Sequence, residues 1–187
     1  DTANLDTLLP PEMALKAEQI GVAKANMPSI KTIVLAILAG AFIALGAVFF
    51  TVVTTGISIP FGIARLLGGL VFSLGLVLVV IAGAELFTGN NLIVMAWANK
   101  KVSTKLLLRN WALVFFGNFI GAFFVVVLIL LAQQYNMNDG ELGLNIMRVG
   151  TAKCKLGFVQ AIASGVLCNI LVCLAVWLCF SATSSSA

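Results

Sequence analysis

The sequence predicts an all-α polytopic membrane protein, and three observations carry that reading. Of 187 residues, 61% are hydrophobic and 10% charged, against roughly 45–50% apolar and 25% charged in an ordinary soluble domain. Mean hydropathy is +1.11. Four apolar segments also recur, each about 20 residues or longer, the length at which a helix crosses a hydrocarbon layer about 30 Å thick. The formal charge of +4 is carried by Lys and Arg in the connections between these segments. It reports orientation, and no nucleic-acid partner is expected; the bilayer itself is the first partner.

The elements follow in order. Residues 1–31 form a polar, amphipathic arm with "EMALKAEQIGVAK" at its centre. It lacks a basic stretch followed by an apolar one, so no cleavable signal is expected. Span one runs from about Ile33 to Thr54, closed by the Gly and Pro of "TTGISIPFG". Span two runs from about Phe61 to Phe87, and "LIVMAWAN" and "KKVSTK" lead to span three, about Leu106 to Leu131. A polar connection over 136–155 precedes span four, about Leu156 to Phe180, in the final segment 156–187.

Four spans alternate sides. Lys16, Lys24, Lys31, Lys100, Lys101, Lys105 and Arg109 fall on one side, and Arg65, Arg148, Lys153 and Lys155 on the other. The seven-to-four bias predicts a cytoplasmic amino terminus. Small residues recur at helical spacing: Ala36, Gly40 and Ala44 in span one, Gly117 and Gly121 in span three, Ala161 and Gly165 leading to Asn169 in span four. Such stripes let helices approach closely in lipid, and plain packing is the first account of them. With no histidine and no C-x-x-C spacing among Cys154, Cys168, Cys173 and Cys179, no metal, haem or other cofactor is expected.

The stretch "AGAELFTGNN" is the irregular point. Phe61 to Asn99 as one helix would be about 60 Å long, twice the hydrocarbon thickness. Either span two is complete by Phe87 and an interfacial piece follows, or the helix is broken at membrane depth near residues 86–90. Irregular backbone survives there only if protein or water satisfies its polar groups. Thr88, Gly89 and Asn90 suit that need, since Thr and Asn cap a half-helix and Gly permits positive φ. Glu85, the one acid within the spans, reads as a proton carrier or as a support accepting hydrogen bonds from loop N–H groups; the second reading is favoured. Asn169 is open between a pore-lining donor and an interhelical hydrogen bond. Lys24 and Lys153 flank spans on opposite sides, where a solvated lysine is the ordinary reading.

At these residues the chain resembles the formate/nitrite transporter family, with its formate channels the nearer branch. "IAGAELFTG" (81–89) and "GVLCNILVCLA" (165–175) match its two signatures, and "LLPPEMA", "GVAK", "PFG" and "FGNFIGA" extend the similarity over nearly the whole chain. The resemblance implies no enzyme and no cofactor. It implies a homopentamer in a bacterial inner membrane, each protomer holding its own six-helix pore made of two inverted three-helix repeats. On that reading 32–135 is the first repeat, and 156–187 opens a second. The echo between "AILAG" (36–40) and "AIASG" (161–165) fits such a repeat.

The resemblance also implies roles. Phe72, Leu76 and Leu86 match apolar constriction positions. Thr88 and Asn169 match polar residues on the pathway, and Lys24 and Lys153 match basic residues near the two mouths, where they would draw in a small monovalent anion such as formate. Glu85, Gly89 and Asn90 remain as support for the loop. The family's pore histidine lies on a later helix than any present before "SATSSSA", so the expectation is that the chain is part of a longer protein. Nitrite or hydrosulfide is the alternative solute within the family. A neutral-solute channel gives no reason for lysines at the mouths, and a redox-complex anchor lacks haem ligands.

Overall fold

A computed structural model of the chain describes residues 8–182. Eight α-helices follow in order: α1 Pro10–Ala25, α2 Ser29–Thr54, α3 Phe61–Ile81, α4 Phe87–Asn90, α5 Val94–Ala98, α6 Thr104–Leu131, α7 Glu141–Cys154 and α8 Phe158–Ser181. Helices α2, α3, α6 and α8 are long and apolar enough to cross a membrane, as the four apolar segments predict.

Helix α2 is the centre of the bundle, with α6 against one side and α3 against another. The small-residue stripes explain the closeness. A Cβ on Gly121 would strike the backbone carbonyl of Ile37, one on Gly40 would strike that of Asn118, and one on Gly117 would lie 2.5 Å from the Ala36 Cβ. Gly46 and Gly75 form the equivalent contact between α2 and α3. Where lipid supplies no hydrophobic drive between helices, such approach maximises dispersion contact. Gly165 of α8 meets nothing within 4 Å, so the third stripe does no packing among the described residues.

The amphipathic arm is α1. Met13, Ala17, Gly21 and Ala25 are buried at four-residue spacing, the period that places side chains on one helical face. Gly21 and Ala25 of that face pack against Ile93 and Ala96 of the α4–α5 segment. At one end of α1, Lys16 Nζ donates to the carbonyls of Phe180 and Ala182, at 3.0 and 2.8 Å. That sets a cation on the negative end of α8. Arg109 of α6 closes the α1–α2 corner by donating to the Met27 carbonyl and Ser29 Oγ, both at 2.8 Å.

The polar connection 136–155 is largely helical. Gly140, with φ 87°, opens α7, Glu141 lies in its first turn and Lys153 in its last, charges that complement the helix dipole. Asn145 docks α7 on the end of α2 through the Thr51 carbonyl and the Thr54 and Thr55 hydroxyls, at 3.0–3.2 Å.

Candidate functional site: a clamped break in a membrane span

The break exists, but it lies about one turn earlier than residues 86–90. Helix α3 ends at Ile81, residues 82–86 are non-helical, and Phe87 already opens α4. The cause is a helix stop built on Gly83, at φ 62°. Gly83 N–H donates to the Val80 carbonyl (3.2 Å) and Ala84 N–H to that of Val79 (2.9 Å), the paired bonds of a Schellman motif with glycine in the left-handed position. Gly89, assigned that conformational role from sequence, is instead helical and Asn90 ends α4.

The segment after that stop is tied to its neighbours at Glu85 and Phe87. Glu85 N–H donates to the Leu35 carbonyl of α2 at 3.2 Å. Asn118 of α6 makes three bonds of 2.8 Å: its Oδ1 accepts from Phe87 N–H, and its Nδ2 donates to the carbonyls of Glu85 and Ala36. An unpaired backbone group at membrane depth costs several kcal/mol, so these bonds are what permit an irregular segment there.

Below the break lies a closed polar network. Glu85 is 1% exposed, and its carboxylate accepts from Lys24 Nζ at 2.5 Å and from Asn90 Nδ2 at 2.6 Å. Lys24 also donates to Asn90 Oδ1 (3.1 Å), and Asn90 Nδ2 to Asn110 Oδ1 (2.9 Å). Asn110 Nδ2 returns to the Lys24 carbonyl (3.1 Å), and Trp111 Nε1 donates to that of Asn90 (3.1 Å). Two expectations change. Lys24, expected as a free cation at a mouth, is neutralised by Glu85 because α1 docks across the break. Glu85 accepts from side chains rather than from loop N–H groups.

An apolar cavity of about 300 Å³ adjoins the break, lined by residues of α1, α3, α4 and α8, among them Lys24, Val80, Leu86, Gly89, Val176 and Phe180. Of the expected pathway residues, Leu86 alone faces it. Thr88 sits at the α4–α8 seam, where its carbonyl accepts from the Cys173 thiol at 3.2 Å, and Asn169 lies one turn from Cys173 along α8. Phe72 and Leu76 share a face of α3 that leads toward Val79 and Val80; Phe72 is exposed and Leu76 half-buried. Lys153 is exposed on α7, at the opposite end of α2 from Lys24.

The sequence profile described as Formate/nitrite transporter matches residues 11–187. The chain belongs to the formate/nitrite transporter family. Formate channel FocA of Escherichia coli strain K12 is 45% identical over 180 residues, covering 96% of this chain and 63% of that protein. FocA of Haemophilus influenzae is 39% identical, covering 93% and 62%. Among solved structures, a pentameric formate channel with formate bound superposes with a TM-score of 0.79 at 52% identity, over 83% of this chain and 62% of that one. An FNT family ion channel gives 0.80 at 25% identity. The chain thus spans somewhat under two thirds of the length of its FocA relatives, and it is a multi-pass membrane protein.

Within this family member, sequence reasoning missed Asn118 and Asn110. Both are polar residues inside an apolar span, where a buried amide needs a partner. Asn118 also sits in the small-residue stripe between Gly117 and Gly121, a signal that a neighbouring backbone passes close by.

Proposed function

We propose that the protein forms a formate channel, as one protomer of a homopentamer in a bacterial cytoplasmic membrane with its amino terminus in the cytoplasm and α8 opening a second, inverted repeat. The observation that carries this reading is the hydrogen-bonded break beside an apolar cavity; the FocA relatives support the choice of solute.

In this mechanism Leu86, Phe72 and Leu76 form the apolar constriction. Burying a bare carboxylate there costs on the order of 20 kcal/mol in the idealised Born limit, so the anion needs donors or a proton. Lys153 raises its local concentration at the outer mouth. Among the described residues, the N–H groups of Leu86, Thr88 and Gly89 have no acceptor, since the first intrahelical donor is Asn90 to the Leu86 carbonyl. These N–H groups, the Thr88 hydroxyl and Asn169 bind the anion at the positive end of the α4–α5 segment. Lys24 lines the cavity with its charge already paired to Glu85.

Formate flux into proteoliposomes tests this. Uptake should far exceed that of glycerol, and a Lys153→Ala, Thr88→Ala double variant should slow it about tenfold, the loss expected for a hydrogen bond to a charged group. Undiminished uptake by that variant overturns the residue roles, and preference for glycerol overturns the anion reading. Lumenal pH recorded alongside flux separates proton-coupled passage of formic acid, which shifts it in step, from passage of the hydrated anion.

A further inference from the structure

We infer that Asn118 is the positioning residue that sets solute selectivity at Leu86, holding this side chain at the width that passes formate and excludes larger carboxylates. The inference rests on the proposed channel function and assigns a specificity role to a residue on a different span from the constriction.

The geometry is particular to Leu86. Its backbone is extended, with φ −101° and ψ 128°, and it is flanked by two peptide groups, one carrying the Glu85 carbonyl and the other the Phe87 N–H. The Asn118 amide pairs with both, donating to the first and accepting from the second, each at 2.8 Å. That is the two-bond pairing a neighbouring β-strand residue offers an extended residue, supplied here by one planar side chain. Turning Leu86 about φ or ψ breaks at least one of the two bonds, at the cost of an unmet backbone donor or acceptor.

Asn118 is itself fixed. Its second Nδ2 proton goes to the Ala36 carbonyl of α2, and its backbone lies against Gly40, where any side chain would collide with it. The α2–α6 seam therefore sets the position of Asn118, and Asn118 sets that of Leu86 on the cavity wall. No other residue type of this size does the same: Asp accepts from Phe87 but donates to neither carbonyl, Leu does neither, and Gln is one methylene too long.

The experiment uses the protein in proteoliposomes, with formate and lactate fluxes measured for wild type, Asn118→Asp and Asn118→Leu. Oligomer integrity is checked by size-exclusion chromatography and amide exchange at Phe87 by mass spectrometry. The expected result is a lactate-to-formate flux ratio raised about tenfold in both variants and, in Asn118→Leu, Phe87 exchange accelerated about tenfold or more, the scale of losing one to two well-made hydrogen bonds, with the oligomer intact. A merely structural role scales both fluxes together; an unchanged ratio overturns the inference, with or without faster exchange. If Asn118→Leu fails to assemble, the Asp variant decides. If the wild type conducts no formate, the channel reading falls, and unchanged Phe87 exchange in an assembled Asn118→Leu, which removes the acceptor, separately overturns the clamp.

Discussion

The α2–α6 seam and the break at 82–86 solve different problems with different forces. The seam joins two regular helices whose backbones satisfy themselves, so it is held mainly by many small contacts along Ala36, Gly40, Gly117 and Gly121, with Asn118 and Arg109 adding hydrogen bonds to Ala36 and Ser29. The break exposes backbone that no helix satisfies, and it is held by a few hydrogen bonds from Asn118, Leu35 and the Glu85 network. Dispersion contacts are individually about 0.1–0.2 kcal/mol and share their load. A buried unmet donor or acceptor costs about 1–3 kcal/mol by itself. The seam therefore tolerates small losses and fails when overfilled, whereas the break fails when any one partner is removed.

The largest expected effect comes from overfilling the seam. Gly121→Val places a side chain against the Ile37 backbone, which has no rotamer with which to yield; the cost exceeds the usual 1–3 kcal/mol of core overpacking. The variant should fail to assemble on size-exclusion chromatography. An intact, thermally normal oligomer would show that close approach at Gly121 does not hold the seam.

Removing one partner at the break is next. Glu85→Leu strands Lys24, whose side chain is 25% exposed, and leaves Asn90 short of an acceptor. The expected loss is about 3 kcal/mol, the lower end for breaking a buried pair. The Lys24→Met, Glu85→Leu double variant should recover part of it in thermal denaturation. A single variant as stable as wild type shows that the network does not hold the break.

A weaker effect is expected outside the membrane, on α1. Glu18 pairs with Lys101 at 2.6 Å and accepts from Asn99 at 3.2 Å. The bond from Lys101 holds its carboxyl below the usual range, burial opposes this, and Asn99 adds to the lowering. A carboxylate lowered on folding stabilises the docked arm above its unfolded value, about 4.3, and loses that stabilisation as pH falls through the lower folded one. Arm docking, followed by limited proteolysis within α1, should be insensitive to this pair from pH 8 to about pH 5 and weaken only in stronger acid. Glu18→Gln should weaken it already at neutral pH.

The same contrast explains what could be read from the sequence. Seam and spans were legible because their determinants are periodic: apolar length marks α2, α3, α6 and α8, and four-residue spacing marks the face of Gly117 and Gly121. The existence of the break was legible from length, since Phe61 to Asn99 is too long for one span. Its position was displaced because the Thr88-Gly89-Asn90 cluster outweighed Gly83, whose left-handed role depends on where α3 stops. The partners were not legible at all. Asn118 is 31 residues from Phe87, Asn110 is 20 from Asn90 and Lys24 is 61 from Glu85, and no local pattern encodes pairings across such separations.

The proposed solute pathway runs past Leu86, beside the break. Formate uptake by proteoliposomes carrying Leu86→Trp, compared with wild type, tests it most directly, because Leu86 half-faces the cavity and a larger ring there obstructs without removing a hydrogen bond. A pathway at Leu86 gives rapid uptake by wild type and uptake near that of empty liposomes by an assembled Leu86→Trp oligomer. Equal uptake by the two would contradict it.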